Sequence, residues 1–233
     1  QGTSLYLDSD RQQLAVIGTQ SAGWIYGKVA FSTTDWFMPT SWRNGASEVL
    51  LVQAPSNGSL KQTRQIKLGG HLIGSRRIGS TLYMVLRSYP QTLASSTSTP
   101  KTADYLPTIS VDGAADQPLV EPAACLLQTG NASASADVIT LVAIGLATDK
   151  HSHAARCFTG GTEAFYMSEQ SVYLATTRTN YSMSGTVPFY AASTSIDIHK
   201  FSLQGLNRLT EGLAMSKVIW ALTKTESPSV WAS

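Results

Sequence analysis

Long apolar runs are missing from this chain of 233 residues. No stretch approaches the ~20 apolar residues that a membrane-spanning helix needs, so no transmembrane segment is expected in these residues. Charge is sparse as well: Asp, Glu, Lys and Arg make up 14% of the chain, and the net charge is +2. The nearest thing to a basic cluster is Lys61, Arg64, Lys67, Arg76 and Arg77. It is short and carries no interleaved aromatic platform, so nucleic acid is not expected as a partner. Cysteine is scarce, with two residues and no CxxC, which excludes a Cys-type zinc site. Amphipathic helical periodicity is nearly absent, Leu203 to Lys217 being the closest approach. There is no GxSxG, HExxH, P-loop or GxGxxG. No catalytic, cofactor-binding or metal-ligating residue is assigned on this basis, and no cofactor is expected. No signal peptide stands at Gln1 and no Met precedes it. The start is expected to be processed or cut, so this absence says nothing about secretion.

What is present is a recurring strand pattern. Ser47 to Val52 and Asp137 to Ile144 read as strands, as do Ser171 to Thr177 and Ser195 to Phe201. Tyr83 follows Val49 by 34 residues, and Tyr173 follows Ile139 by the same 34. Lys67-Leu68-Gly69-Gly70 falls inside the first interval and Phe158-Thr159-Gly160-Gly161 inside the second. Ser4 to Leu7 with Leu14 to Gly18 reads as the end of an earlier copy, and Ile196 opens a later one. A unit of strand, polar turn, strand, Gly-rich turn and two further strands over roughly 40 residues is the blade of a β-propeller. The expected fold is all-β: a partial ring of about three to four four-stranded blades, packed against each other.

Two inserts break the period. Residues 22–44 are rich in aromatics, and Trp24, Trp36 and Trp42 are the expected partner contact, because Trp anchors binding surfaces. Residues 89–130 are rich in Pro, Ser and Thr. Cys125 and Cys157 are expected to form a disulfide that staples this second insert to the neighbouring blade, two buried thiols being the alternative. His151 and His153 could share one face of a strand, yet Asp149 to Ala154 reads as an exposed turn. His71 reads as a turn residue and His199 as a blade-strand residue between blades. Asp8-Ser9-Asp10 reads as a hairpin turn.

The Tyr166-Met167-Ser168 step, the strands Tyr173 to Thr177 and Ile198 to Phe201, the segment Ser75 to Val85, and the Pro-containing pieces Leu106 to Ile109 and Pro118 to Val120 follow one another in a known order. In this the chain resembles a family of secreted bacterial and archaeal proteins whose C-terminal β-propeller domain is distantly related to WD40 repeats. The likeness covers roughly residues 4 to 212. It implies a larger propeller of which this chain holds a part, and it carries over no catalytic residue. The localisation it implies is secreted, periplasmic or cell-surface. The likeness lapses after Leu206, where the family continues with a Gly-Ser-Gly step and a further blade. Read in another frame with suitable synonymous codons, Leu209 to Ser233 spells YRGSGNVEGHLGFDKNRIAFRMGE, which fits that continuation. We therefore divide the chain into blades over 1–212 and an atypical tail over 213–233, and expect a frameshift at the join.

The expected function is a non-enzymatic extracellular or envelope propeller that binds a protein or glycan at the cell surface, or acts as a scaffold. Its other expected partners are the missing blades of the same propeller, since an open ring exposes an apolar blade face. The rival expectation is a propeller-type hydrolase or lyase with its site at the central channel. That reading calls for acidic and basic residues on the inner strands. The strands taken as inner, around Val49 and Ile139, are apolar.

Overall fold

The structure, a computed structural model, describes residues 2–20, 45–55, 58–88, 106–126, 138–146, 152–159, 162–184, 189–203 and 216–218. Fifteen strands run in chain order through these segments. The first sheet begins with β1 (Gly2–Asp8), β2 (Gln13–Gln20), β3 (Ala46–Gln53) and β4 (Lys61–Gly69), each antiparallel to the one before it. The second begins with β5 (His71–Ile78) and β6 (Thr81–Ser88), and goes on through β10 (Val138–Gly145) and β11 (His153–Thr159). The third is β12 (Thr162–Met167), β13 (Ser171–Ser184), β14 (Phe189–Ser202) and β15 (Ser216–Val218).

The second insert supplies edge pieces to both neighbouring sheets. Strands β7 (Thr108–Val111) and β8 (Gln117–Pro118) extend the first sheet beyond β4. Strand β9 (Cys125–Leu126) joins the second sheet in parallel beside β11, at Cys157 and Phe158.

The three sheets stack face to face around two apolar cores. In the first core Val49, Ile66 and Leu68 of the first sheet meet Leu82, Met84 and Leu86 of the second. In the second core Tyr83, Val85, Ile139 and Phe158, from the opposite face of the second sheet, meet Val172, Leu174 and Phe201 of the third. Neighbouring residues on a strand point to opposite faces. The middle sheet therefore buries both faces, and β6 from Thr81 to Leu86 and β10 from Val138 to Ile144 are buried without interruption. In β3 burial alternates, because one face alone is covered.

The first strands of the three sheets lie side by side. Tyr6 on β1 hydrogen-bonds Ser75 on β5, and Arg76 on β5 donates to the Met167 carbonyl on β12. Stacked four-stranded sheets whose leading strands converge are the blades of a propeller, three of them among the described residues, in an open ring. Each blade is led by its first strand. The inner strands are thus β1, β5 and β12. This corrects the expectation that the strands around Val49 and Ile139 are inner, since Val49 lies on β3 and Ile139 on β10, the third strands of their blades. The 34-residue interval joins the third strand of one blade to the second strand of the next, so the repeat read from the sequence straddles a blade boundary.

That boundary is built by Gly70. Its φ of +122° lies in a region that L side chains avoid, and it turns the chain from β4 into β5. Its N–H donates to the Gly45 carbonyl, and its own carbonyl accepts from the buried Ser47 hydroxyl at 2.9 Å. The reversal thus leaves both of its backbone groups hydrogen-bonded.

Candidate functional site

Charged groups on the inner strands point at neighbouring blades. Asp8 ends β1 and is 2% exposed. Its carboxylate is held at 3.1 Å by Arg11, from the same hairpin, and at 3.1 Å by Arg77 of the next blade. Burial pushes the Asp8 pKa up, but the hydrogen bonds from the Arg11 side chain and backbone and the positive charges of Arg77 and Arg11 outweigh it. The carboxyl is held below its ordinary 3.8. Arg77 also donates to the Leu7 carbonyl, while Arg76, one residue before it and on the opposite face, reaches forward to Met167 at 2.6 Å. Two consecutive arginines therefore tie the middle blade to both neighbours. In sequence, Asp8 reads as a hairpin-turn residue, and Arg76 and Arg77 group with Lys61, Arg64 and Lys67. Arg64 pairs with Asp112 at 3.4 Å.

A concave feature among the described residues lies at the other side of the middle blade. One wall is the insert segment Pro118 to Glu121 with Ala123 and Ala124, and the other is the start of β11, His153 to Arg156. The groove measures about 560 Å³, within the span of small-ligand and peptide sites. Cys125 and Cys157, each next in the chain to a lining residue (Ala124 and Arg156), pair as a disulfide with Cα atoms 4.5 Å apart. A short 3-10 turn at Pro122–Ala124 leads the insert into β9. Leu119 and Val120 are anchored in the first core, so the insert wall stands on packed side chains. Burial lowers the His153 pKa from its ordinary 6.5, which leaves the ring neutral at neutral pH beside Arg156 and Glu121.

His153 begins a strand and is half-buried, which corrects the expectation of an exposed turn there. His71 likewise opens β5 opposite Arg87 and is not a turn residue. His199 lies between the second and third blades, its ring 5.9 Å from that of Phe158. Trp24, Trp36, Trp42 and His151 lie outside the described residues. Among the described residues no helix is long and apolar enough to cross a membrane.

The model of one family, described as Beta propeller domain, matches residues 1–214. The chain belongs to that family. No curated protein and no solved structure matches this propeller. The family match and the three stacked blades agree on the fold.

Proposed function

We propose that this propeller is a non-enzymatic binding or scaffold module, secreted, periplasmic or on the cell surface of a bacterium, and a distant relative of the WD40 repeats. Its partner is a protein or glycan at that surface, and the remaining blades of its ring are a second kind of partner. The observation that carries the binding reading is the groove between Pro118–Ala124 and His153–Arg156, where apolar walls meet three polar side chains beside the Cys125–Cys157 disulfide. A disulfide fits an oxidising compartment. The charged residues Asp8, Arg76 and Arg77 on the inner strands are engaged in holding blades together, which weighs against the hydrolase or lyase alternative.

The test is a protein and glycan binding screen with the full chain, followed by two variants of confirmed fold. Ala123→Trp fills the groove from an exposed position. Trp36→Ala with Trp42→Ala strips the aromatic insert. Loss of the captured partner in Ala123→Trp assigns the groove, and loss in the Trp variant assigns the insert. Retention in both, or turnover in a hydrolase and lyase screen, overturns the reading. We also propose a division at residue 212 with a frameshift in the tail that follows, checked by sequencing the encoding DNA.

A further inference from the structure

We propose that the groove takes an extended segment of a partner protein, which adds to the edge of β11 at Ala155 as a short strand in line with β9. The inference rests on the reading of the groove as the binding site and names what fills it.

One edge of β11 pairs with β10 from His153 to Thr159. Among the described residues, the other edge pairs with β9 at Cys157 and Phe158 only. The groove runs beside the remainder, His153 to Arg156. The phase of the ladder decides which backbone groups face it. The Gly145 N–H donates to the Ser152 carbonyl, and in an antiparallel ladder the pairs that exchange bonds alternate with pairs that do not. Ala154 and Arg156 therefore bond to β10 at Ala143 and Leu141. Ala155 directs its N–H and C=O away from β10, to the groove side. Among the described residues neither of these two groups has a hydrogen-bond partner. Ala155 is partly exposed, so solvent and ligand reach this edge.

The insert itself leaves the place vacant. Before Cys125 the chain departs from the β11 edge in the 3-10 turn Pro122–Ala124. Pro122 has no N–H to offer a ladder. The N–H groups of Ala124 and Cys125 bond back to the Glu121 and Pro122 carbonyls. The turn thus satisfies its own donors, and nothing from it pairs with Ala155. A bare stretch of sheet edge is a template for another strand. A peptide that adds there draws affinity from its main chain and selectivity from the side chains that flank it.

The lining defines the occupant. Leu119, Val120, Ala123 and Ala124 stand across from the β11 edge, so the added strand presents small or aliphatic side chains. Glu121 and Arg156 supply one charge of each sign, so no excess of either charge is favoured in it. Strand β9 already occupies this edge two residues further on, and the proposed pairing continues that contact toward His153. A glycan has no ladder of amides to answer Ala155, which favours a polypeptide over a sugar. Both walls are mid-chain segments tied together at Cys125 and Cys157.

The experiment selects binders to the full chain from a randomised phage-displayed peptide library and measures the affinity of the selected peptides as synthetic ligands. The Ala155 amide is expected to exchange quickly in the free chain and to be protected in the complex. N-methylation along the peptide is expected to weaken binding at every second position of the paired stretch, the mark of a strand. Ala155→Pro deletes the outward N–H at an edge position where proline is tolerated, and is expected to weaken binding about tenfold. Ala123→Trp, from the exposed turn, is expected to abolish binding, and it serves where Ala155→Pro does not fold. An Ala155 amide already protected in the free chain overturns the proposal, because the place is then taken within the chain. So does a library that yields no binder. A peptide lost in Ala123→Trp whose N-methyl scan shows no alternation, or a captured glycan lost in that variant, overturns strand addition alone and leaves the groove as the binding site. A peptide that Ala123→Trp still binds overturns strand addition and the groove reading together.

Discussion

Between blades one and two, aliphatic side chains meet beneath polar pins; between blades two and three, rings stack. The first contact sets Val49, Ile66 and Leu68 against Leu82, Met84 and Leu86. At its inner edge the Tyr6 hydroxyl donates to the Ser75 carbonyl at 2.7 Å, and Arg77 holds Asp8. The second contact places Phe158 against Phe201, with centroids 5.5 Å apart, and Phe165 so close to Gly74 that a β-carbon there would overlap its ring. Arg76 pins it at Met167. One architecture thus tolerates two chemistries: ionisation adjusts the first interface, and ring volume decides the second.

The largest expected effect breaks the aromatic side. Phe201→Ala removes a ring that is 2% exposed and should cost about 3–5 kcal/mol, read as a fall in denaturant midpoint. A loss below about 1 kcal/mol would mean that the third blade does not pack there. Next comes the staple beside the aliphatic side. Replacing Cys125 and Cys157 with Ser opens a loop with a sequence separation of 32 and should cost about 2–4 kcal/mol. It should also raise hydrogen exchange in Leu119 and Val120 more than in Leu174.

Ionisation should separate the two interfaces further. Asp8→Asn should cost about 1–3 kcal/mol at neutral pH, because it weakens charge-assisted bonds to two arginines. The folded pKa of Asp8 is depressed, so its contribution is present above the ordinary 3.8 and disappears as pH falls through the folded value. The gap in stability between wild type and variant should therefore close in strong acid, whereas the Phe201→Ala gap should not; two melting series across pH check this. The smallest effect belongs to Tyr6→Phe, which removes one hydrogen bond and should cost about 1 kcal/mol.

Much of the fold is legible in the residues. The strand stretches Ser47 to Val52, Ser171 to Thr177 and Ser195 to Phe201 fall inside observed strands, as does Val138 to Ile144 of the stretch read from Asp137, because β-branched and aromatic residues fit a pleated surface wherever it lies. The period survives, but its phase does not. A glycine at a turn within a blade, such as Gly79, looks the same in sequence as Gly70 between blades, and both have positive φ. The pattern of burial would have found the middle blade: alternation in β3 against the unbroken run Thr81 to Leu86. Asp8 was unreadable because its main partner outside its own hairpin, Arg77, is 69 residues away, and nothing local distinguishes a buried turn carboxylate from an exposed one. His153 was misread for a similar reason. Its strand is defined by pairing with Ile144 and its burial by the distant insert.

The side-by-side order of the leading strands is the claim on which the blades and the pins depend. The Ser4 and Ser75 hydroxyl oxygens lie 3.4 Å apart across 71 residues of sequence, close enough for a bridge if both are replaced. The most direct test is mild oxidation of the S4C/S75C double variant, followed by peptide mapping under non-reducing conditions. A quantitative bridge between positions 4 and 75, with the Cys125–Cys157 pair intact, is the predicted result. Free thiols at both positions in a folded protein, or scrambling with the native pair, would contradict the convergence of β1 and β5.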